Sequence, residues 1–134
     1  MDQPHVMMAF ACESVVTEPN KPISFQHILD GIEANDFPAP TGRWFAVFCF
    51  YSPQEGEIDN CRVVISHESG EMVAQTTVKP LRFTENGPLS RNVVGFSGFA
   101  WPYPGWYRVE FLAGRDSVLA TFPLLVQHAP ESSV

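Results

Sequence analysis

The sequence predicts an all-β fold, and three observations support that prediction. Its 134 residues include 12 Pro and 11 Phe, a composition that favours short strands joined by turns over long helices. About eight segments of alternating or continuous apolar character follow one another, separated by clusters of Gly, Pro, Asn and Asp. Residues 107–111, YRVEF, alternate strictly, as a strand with one buried face does. These features indicate a single antiparallel β-sandwich of about seven to eight strands.

The first half of the chain predicts three strands. Residues 5–16 alternate as a strand, and residues 23–34, which follow the turn TEPNKP, are the expected hairpin partner. A Pro-bearing connection, residues 35–43, is too broken for a helix. Residues 44–52, WFAVFCFYS, are apolar on both sides. This pattern predicts a central strand that is covered on both faces, or a strand at an interface.

The second half predicts two hairpins with one strand between them. The segments CRVVISHE and EMVAQTTVKPLRF flank Ser69 and Gly70, a two-residue loop of the kind that hairpins use. RNVVGFSGFA is the intervening strand, and its glycines suggest a bend. GWYRVEFLA and SVLATFPLLVQ flank a turn that begins at Gly114. The polar tail, residues 129–134, is expected to fray, and residues 1–134 are expected to form one domain.

The two faces of the segment GWYRVEFLA have different characters. Its apolar face is expected in the core and carries Tyr107, Val109 and Phe111. The opposite, more polar face carries Trp106, Arg108 and Glu110.

The order of these segments has a family likeness. The stretch AFACESVVTEPNKPISFQHILDGIEANDFPAP, the strand WFAVFCFY and the closing PGWYRVEFLAGRDSVLATFPLLV together resemble a set of short bacterial proteins classed as a domain of unknown function. The likeness covers nearly the whole chain and rests on patterned positions. It implies a bacterial β-sandwich, and because that family has no assigned activity it supplies no catalytic residues. The aromatic corner of this chain, which carries Trp101, Tyr103 and Trp106, has more aromatic residues than the plainer Pro-Gly-Tyr turn of the family.

Charge and termini weigh against several classes of partner. The formal net charge of −7, with two Lys and six Arg, repels polyphosphate and weighs against nucleic acid as a partner. Asp2 stands where a signal peptide needs positive charge. No stretch approaches the roughly 20 apolar residues that span a bilayer. We therefore expect a soluble, cytoplasmic protein that binds no membrane.

The sequence has no recognisable catalytic or metal-binding motif. His67 beside Glu68 lacks a further metal ligand, and the three widely spaced cysteines are expected to be buried thiols. No phosphate-binding glycine loop precedes a helix. An enzyme with acidic residues such as Asp30 and Glu33 in a cleft is the least supported alternative. We expect no cofactor, no metal and no enzymatic activity.

The aromatic corner is the strongest candidate for a binding site. Two interpretations of Trp101, Tyr103 and Trp106 are open: they plug the end of the core, or they are exposed anchors for a partner. The sequence therefore favours an immunoglobulin-like binding or assembly module that contacts a protein partner or forms a homodimer. The alternative is a carbohydrate- or small-ligand-binding sandwich. The candidate contact residues are Trp101, Tyr103, Trp106, Arg108 and Glu110.

Overall fold

A computed structural model describes residues 3–130, and every regular element in this range is a β-strand. No helix that could cross a membrane occurs within this range. The thirteen strands are β1 (His5–Val16), β2 (Ser24–Leu29), β3 (Gly31–Ala34), β4 (Ala39–Pro40), β5 (Trp44–Tyr51), β6 (Gly56–Ile58), β7 (Arg62–His67), β8 (Met72–Thr77), β9 (Leu81–Phe83), β10 (Leu89–Phe96), β11 (Ala100–Trp101), β12 (Gly105–Ala113) and β13 (Ser117–His128).

Two larger sheets form most of the molecule. A four-stranded sheet has the order β10-β5-β1-β2, and a five-stranded sheet has the order β3-β13-β12-β7-β8. Two short pairs, β4 with β11 and β6 with β9, complete the pairing. The predicted hairpins β1–β2, β7–β8 and β12–β13 are confirmed. The last of these turns at Gly114, whose φ of 61° suits a residue without a Cβ.

Aromatic side chains join the two larger sheets into one core. The Phe111 ring of β12 lies 5.3 Å from Phe48 and 5.0 Å from Phe50, both on β5. Phe122 of β13 adds a contact with Phe48 at 5.5 Å. Phe48, Phe50 and Phe111 are fully buried. Phe111 therefore touches two residues of the opposite sheet at once, which makes it a central contact of the core.

The strand count and one pairing depart from the prediction. Eight strands have six or more residues and match the predicted segments. The five strands of two to four residues were not predicted as separate strands, although β3 and β9 fall within longer predicted segments. The predicted antiparallel pairing holds for the strand pairs of the described residues with one exception, because β3 runs parallel to β13. The chain leaves the four-stranded sheet at Leu29 and enters the five-stranded sheet at Gly31, which places β3 beside β13 in the same direction. Of the predicted frayed tail, residues 131–134 lie outside the described range.

The predicted central strand, β5, is confirmed. It pairs with β1 on one side and with β10 on the other. Phe48 belongs to the core, and Val47 and Cys49, which alternate with it, are also buried. Successive strand residues point to opposite faces, so β5 is covered on both. The face away from the core is covered by large neighbours such as Phe10, which lies opposite Val47.

We expect Phe111→Ala to lower the free energy of unfolding by about 3–5 kcal/mol, because it removes a buried ring and leaves a cavity between the sheets. Urea unfolding monitored by circular dichroism measures this loss. Thr121→Ala, at an exposed position of the neighbouring strand, is the matched control and is expected to change stability by less than about 0.5 kcal/mol. A loss below about 1 kcal/mol for Phe111→Ala would contradict its place in the core.

Candidate functional site

Trp101 lies inside the molecule, where it extends the core to the end of the sheets. Its side chain is fully buried. The ring stacks on Trp44 at 5.7 Å and meets Tyr107 and Phe99 edge-on at 4.8 and 4.7 Å. Neither indole N–H of the Trp44–Trp101 pair finds an acceptor within residues 3–130. Ring packing therefore holds this pair, and Trp101 offers no surface to a partner.

The Tyr107 hydroxyl clamps the main chain of Tyr103. It donates a hydrogen bond to the Tyr103 carbonyl at 2.6 Å and accepts one from the Tyr103 N–H at 3.1 Å. Burial raises the pKa of Tyr107, which keeps the hydroxyl protonated as the donor. One buried side chain thus satisfies both polar groups of a residue in an irregular segment.

His67, at the end of β7, contacts the same corner through its ring and through a hydrogen bond. Its ring packs edge-on against Tyr103 at 5.3 Å and Tyr107 at 4.9 Å. Its Nε2 lies 3.0 Å from the Pro104 carbonyl, which can only accept, so Nε2 carries the proton. Its Nδ1 then accepts from Ser69, whose backbone N–H is 3.2 Å away and whose hydroxyl is 3.0 Å away. Both ring nitrogens are occupied by structural hydrogen bonds.

Glu68 fixes the backbone at Trp106. Its N–H donates to the Trp106 carbonyl at 2.9 Å, and its carboxylate accepts from the Trp106 N–H at 3.0 Å. The preceding Gly105 has a φ of 129°, and a Cβ there would lie 2.8 Å from His67 Nε2. Only glycine fits this close approach. The loop of residues 68–71, which connects β7 to β8, therefore also holds the backbone of the corner. With four residues it is longer than the predicted two-residue turn.

Exposed side chains lie on the outer face of the five-stranded sheet and at the neighbouring corner. Trp106 is 49% exposed and Tyr103 is 45% exposed. Arg108 lies opposite Ser66, which in turn lies opposite the exposed Met72, so Arg108 and Met72 share one row of the sheet. Paired strands are about 4.8 Å apart, which separates the backbones of these two residues by about 10 Å. We use the name Trp106 surface for Met72, Trp106, Arg108 and Glu110 of this outer face together with Tyr103, whose exposed ring packs against His67 at the end of the same strands.

The charged side chains of the Trp106 surface form no ion pair with another residue of the range 3–130. Arg108 is exposed and Glu110 is half-buried. Glu71 acts at the edge of the surface: hydrogen bonding to its carboxylate raises the pKa of the Tyr103 phenol, and its negative charge raises that pKa further. The surface combines an indole, a phenol, a thioether, a guanidinium and a carboxylate.

Of the five predicted contact residues, Trp106, Arg108 and Glu110 share the outer face of β12, Tyr103 is exposed at the corner, and Trp101 is buried in the core. Sequence reasoning missed Met72, whose exposure follows from a register shift between β7 and β8 at Ile65 and Ser66. It also treated Glu68 as a hairpin end, without its role under Trp106. No local sequence signal reveals either feature, because both depend on pairing between strands.

The three cysteines are buried thiols, and burial raises the pKa of Cys12 and Cys61. In the part of the chain from residue 3 to residue 130, no group of three or more His, Cys, Asp or Glu side chains could hold a metal ion.

No protein-family model and no curated protein matches this chain. Among solved structures, a similar one is that of the Pseudomonas fluorescens alkylpurine DNA glycosylase AlkC bound to DNA containing an abasic site analog. The match has a TM-score of 0.54 and 12% sequence identity, and it covers 94% of this chain and 31% of that chain. At this identity the likeness shows the fold alone, and the chain spans about a third of the length of AlkC.

We expect Tyr107→Phe to destabilise the protein by about 1–3 kcal/mol, because it removes a hydroxyl that satisfies both main-chain groups of Tyr103 at a partly buried site. Urea unfolding measures the effect. Tyr51→Phe is the control, since the Tyr51 hydroxyl makes no hydrogen bond within the described range. Equal stability of the two variants would contradict the clamp.

We expect Glu71→Gln to lower the pKa of the Tyr103 phenol towards its ordinary value of about 10, because the neutral amide lacks the charge that disfavours the phenolate. Carbon-13 NMR of labelled tyrosine rings across an alkaline titration follows each phenol separately. Glu110→Gln makes the same charge change on β12 and should leave the Tyr103 curve in place. An unchanged Tyr103 curve in Glu71→Gln would contradict the contact.

Proposed function

We propose that this chain is a non-enzymatic protein-binding module, an immunoglobulin-like β-sandwich that contacts its partner through the Trp106 surface. The observation that carries the proposal is a half-exposed tryptophan whose backbone N–H and carbonyl are both hydrogen-bonded by Glu68. A rigid anchor loses little conformational entropy when a partner buries it. Exposed tryptophan is costly to leave in water, and contact with a protein removes that cost.

The composition of the surface also supports a protein partner. Trp, Tyr, Met and Arg are the residues enriched at protein interfaces, and Trp, Tyr and Arg dominate their binding energy. Trp106, Tyr103, Met72 and Arg108 supply one of each. The partner is either a different protein or a second copy of this chain.

Two other classes of ligand have less support. Carbohydrate stacking would use the aromatic corner, but the burial of Trp101 leaves two of its three candidate rings accessible. DNA is named in the AlkC structure, yet that likeness concerns the fold, and the net charge of −7 opposes polyphosphate binding. We further propose that this role is carried out in a bacterial cytosol; the resemblance to short bacterial proteins supports the bacterial part of this proposal.

Site-specific photocrosslinking in the source organism tests the proposal. A benzoylphenylalanine at position 106 is expected to give a discrete protein adduct when cells are irradiated, because that position lies inside the interface. The same probe at position 115, an exposed residue of the β12–β13 turn, is the control. A self-adduct has twice the 15.0 kDa mass of the chain, whereas a different partner adds its own mass. Adducts no stronger at position 106 than at position 115 would overturn the proposal.

The crosslinking result is checked by an equilibrium measurement on the purified chain. If the adduct is a self-adduct, sedimentation equilibrium should give a dimer for the native chain and a monomer for Trp106→Ala, with both proteins folded by circular dichroism. If the adduct contains another protein, that protein should bind the native chain at least about tenfold more tightly than Trp106→Ala, as loss of a central tryptophan anchor predicts. Equal affinities would exclude the Trp106 surface as the contact.

A further inference from the structure

A positively charged groove lies between the free edges of the two larger sheets. Its volume is about 460 Å³, and it is lined by the end of β8 with the two residues after it and by residues 91–95 of β10. In the sheet order β8 pairs only with β7, and β10 pairs only with β5. The groove is therefore bordered by two strands whose outer edges have no partner strand.

The charge of this groove is opposite to that of the whole chain. Two of the eight basic residues, Lys79 and Arg91, line it, and no Asp or Glu does. Both side chains are exposed, and neither forms an ion pair within residues 3–130. In a chain with a net charge of −7, two uncompensated cations in one groove create a local attraction for an anion.

The backbone of β10 is available to a further strand. No backbone hydrogen bond joins residues 91–95 to a described segment other than β5. An exposed edge of this kind pairs readily with an extended segment of another chain, whose main chain supplies the affinity. The side chains at the edge then decide which sequence is accepted.

The side-chain pattern along β10 indicates which residues a pairing strand would need. Val94 and Phe96 face the core, so Arg91 and Val93 point to the opposite face of the sheet. Val93 is 37% exposed and continues an apolar row through Val47 of β5. A strand added to β10 would place one side chain beside Arg91 and, two residues away, another beside Val93. Cross-strand neighbours prefer opposite charge and apolar contact respectively.

We propose that this groove binds an extended acidic segment of a partner protein, added as a strand to the edge of β10, with an acidic residue beside Arg91 and an apolar residue beside Val93. Lys79 contributes a second positive charge from the other side of the groove. Pairing of two copies through β10 is disfavoured, because it would bring the Lys79 and Arg91 cations of both copies together. The proposal rests on the proposed role as a protein-binding module, but it uses no residue of the Trp106 surface.

The probe is a fluorescein-labelled, terminally blocked nonapeptide of alternating Glu and Val, measured by fluorescence anisotropy at low salt. We expect saturable binding that weakens as salt is added, because the contact is partly electrostatic. A Lys and Val peptide of the same pattern should not bind. A peptide of the same composition with all Glu before all Val should bind at least about tenfold more weakly, because only the alternating order matches the strand period.

Two matched charge reversals locate the site on the protein. Arg91→Glu is expected to weaken binding of the alternating peptide at least about tenfold, since it places like charges across the pair. Arg115→Glu changes the net charge equally at an exposed turn and should change affinity less than about twofold. Nitrogen-15 NMR should place the largest backbone shifts on β10. Two further peptides are N-methylated at alternate residues, one on the odd positions and one on the even positions. Only one of them should lose binding, because only one edge of the peptide supplies the N–H donors that pair with β10.

Several results would overturn the proposal. They are the absence of binding at millimolar peptide, equal weakening by Arg91→Glu and Arg115→Glu, equal binding of the blocked-order peptide, and tolerance of N-methylation on both edges. Shifts of β10 signals that depend on protein concentration without peptide would instead identify the edge as a contact between copies. None of these results bears on the position 106 crosslink, so failure of this inference is distinguishable from failure of the Trp106 surface.

Discussion

The corner of this molecule depends on one buried tyrosine whose hydroxyl is fully used. Tyr107 packs against Trp101 and His67 inside the core, and its hydroxyl holds the main chain of Tyr103. Without that hydroxyl, a non-strand segment would carry unpaired polar groups at the end of the core. Because Tyr107 is followed and preceded by residues that point outward, the same strand that buries it presents Trp106 and Arg108 to solvent. Core packing and surface display are therefore two faces of β12.

The sequence predicted those parts of the fold that are encoded by local periodicity. The alternation of the segment GWYRVEFLA correctly assigned Tyr107 and Phe111 to the core and Trp106 to the opposite face, which leaves Trp106 half-exposed in the structure. The continuous apolar run of β5 correctly indicated burial on both faces. In each case a long strand repeats its pattern often enough to define its orientation.

The features that escaped prediction depend on residues distant in the sequence. Strands of two or three residues, such as β4 and β11, are too short to show a period, and the parallel pairing of β3 follows from the path of the chain between sheets. The burial of Trp101 depends on Trp44, which belongs to another sheet. The groove between Lys79 and Arg91 is likewise created when two strand edges meet. Periodicity carries no information about such encounters.

The three tryptophans give the protein separate spectroscopic signals from its interior and from its surface. Trp44 and Trp101 are buried and stacked at 5.7 Å with an interplanar angle of 29°, a geometry in which the transition dipoles of two indoles couple and contribute a paired signal to the circular dichroism spectrum. Trp106 is the half-exposed indole, and its fluorescence is open to quenching by small solutes in water. The native chain thus carries two intrinsic reporters, one for the integrity of the core and one for the occupancy of its surface, without any added label.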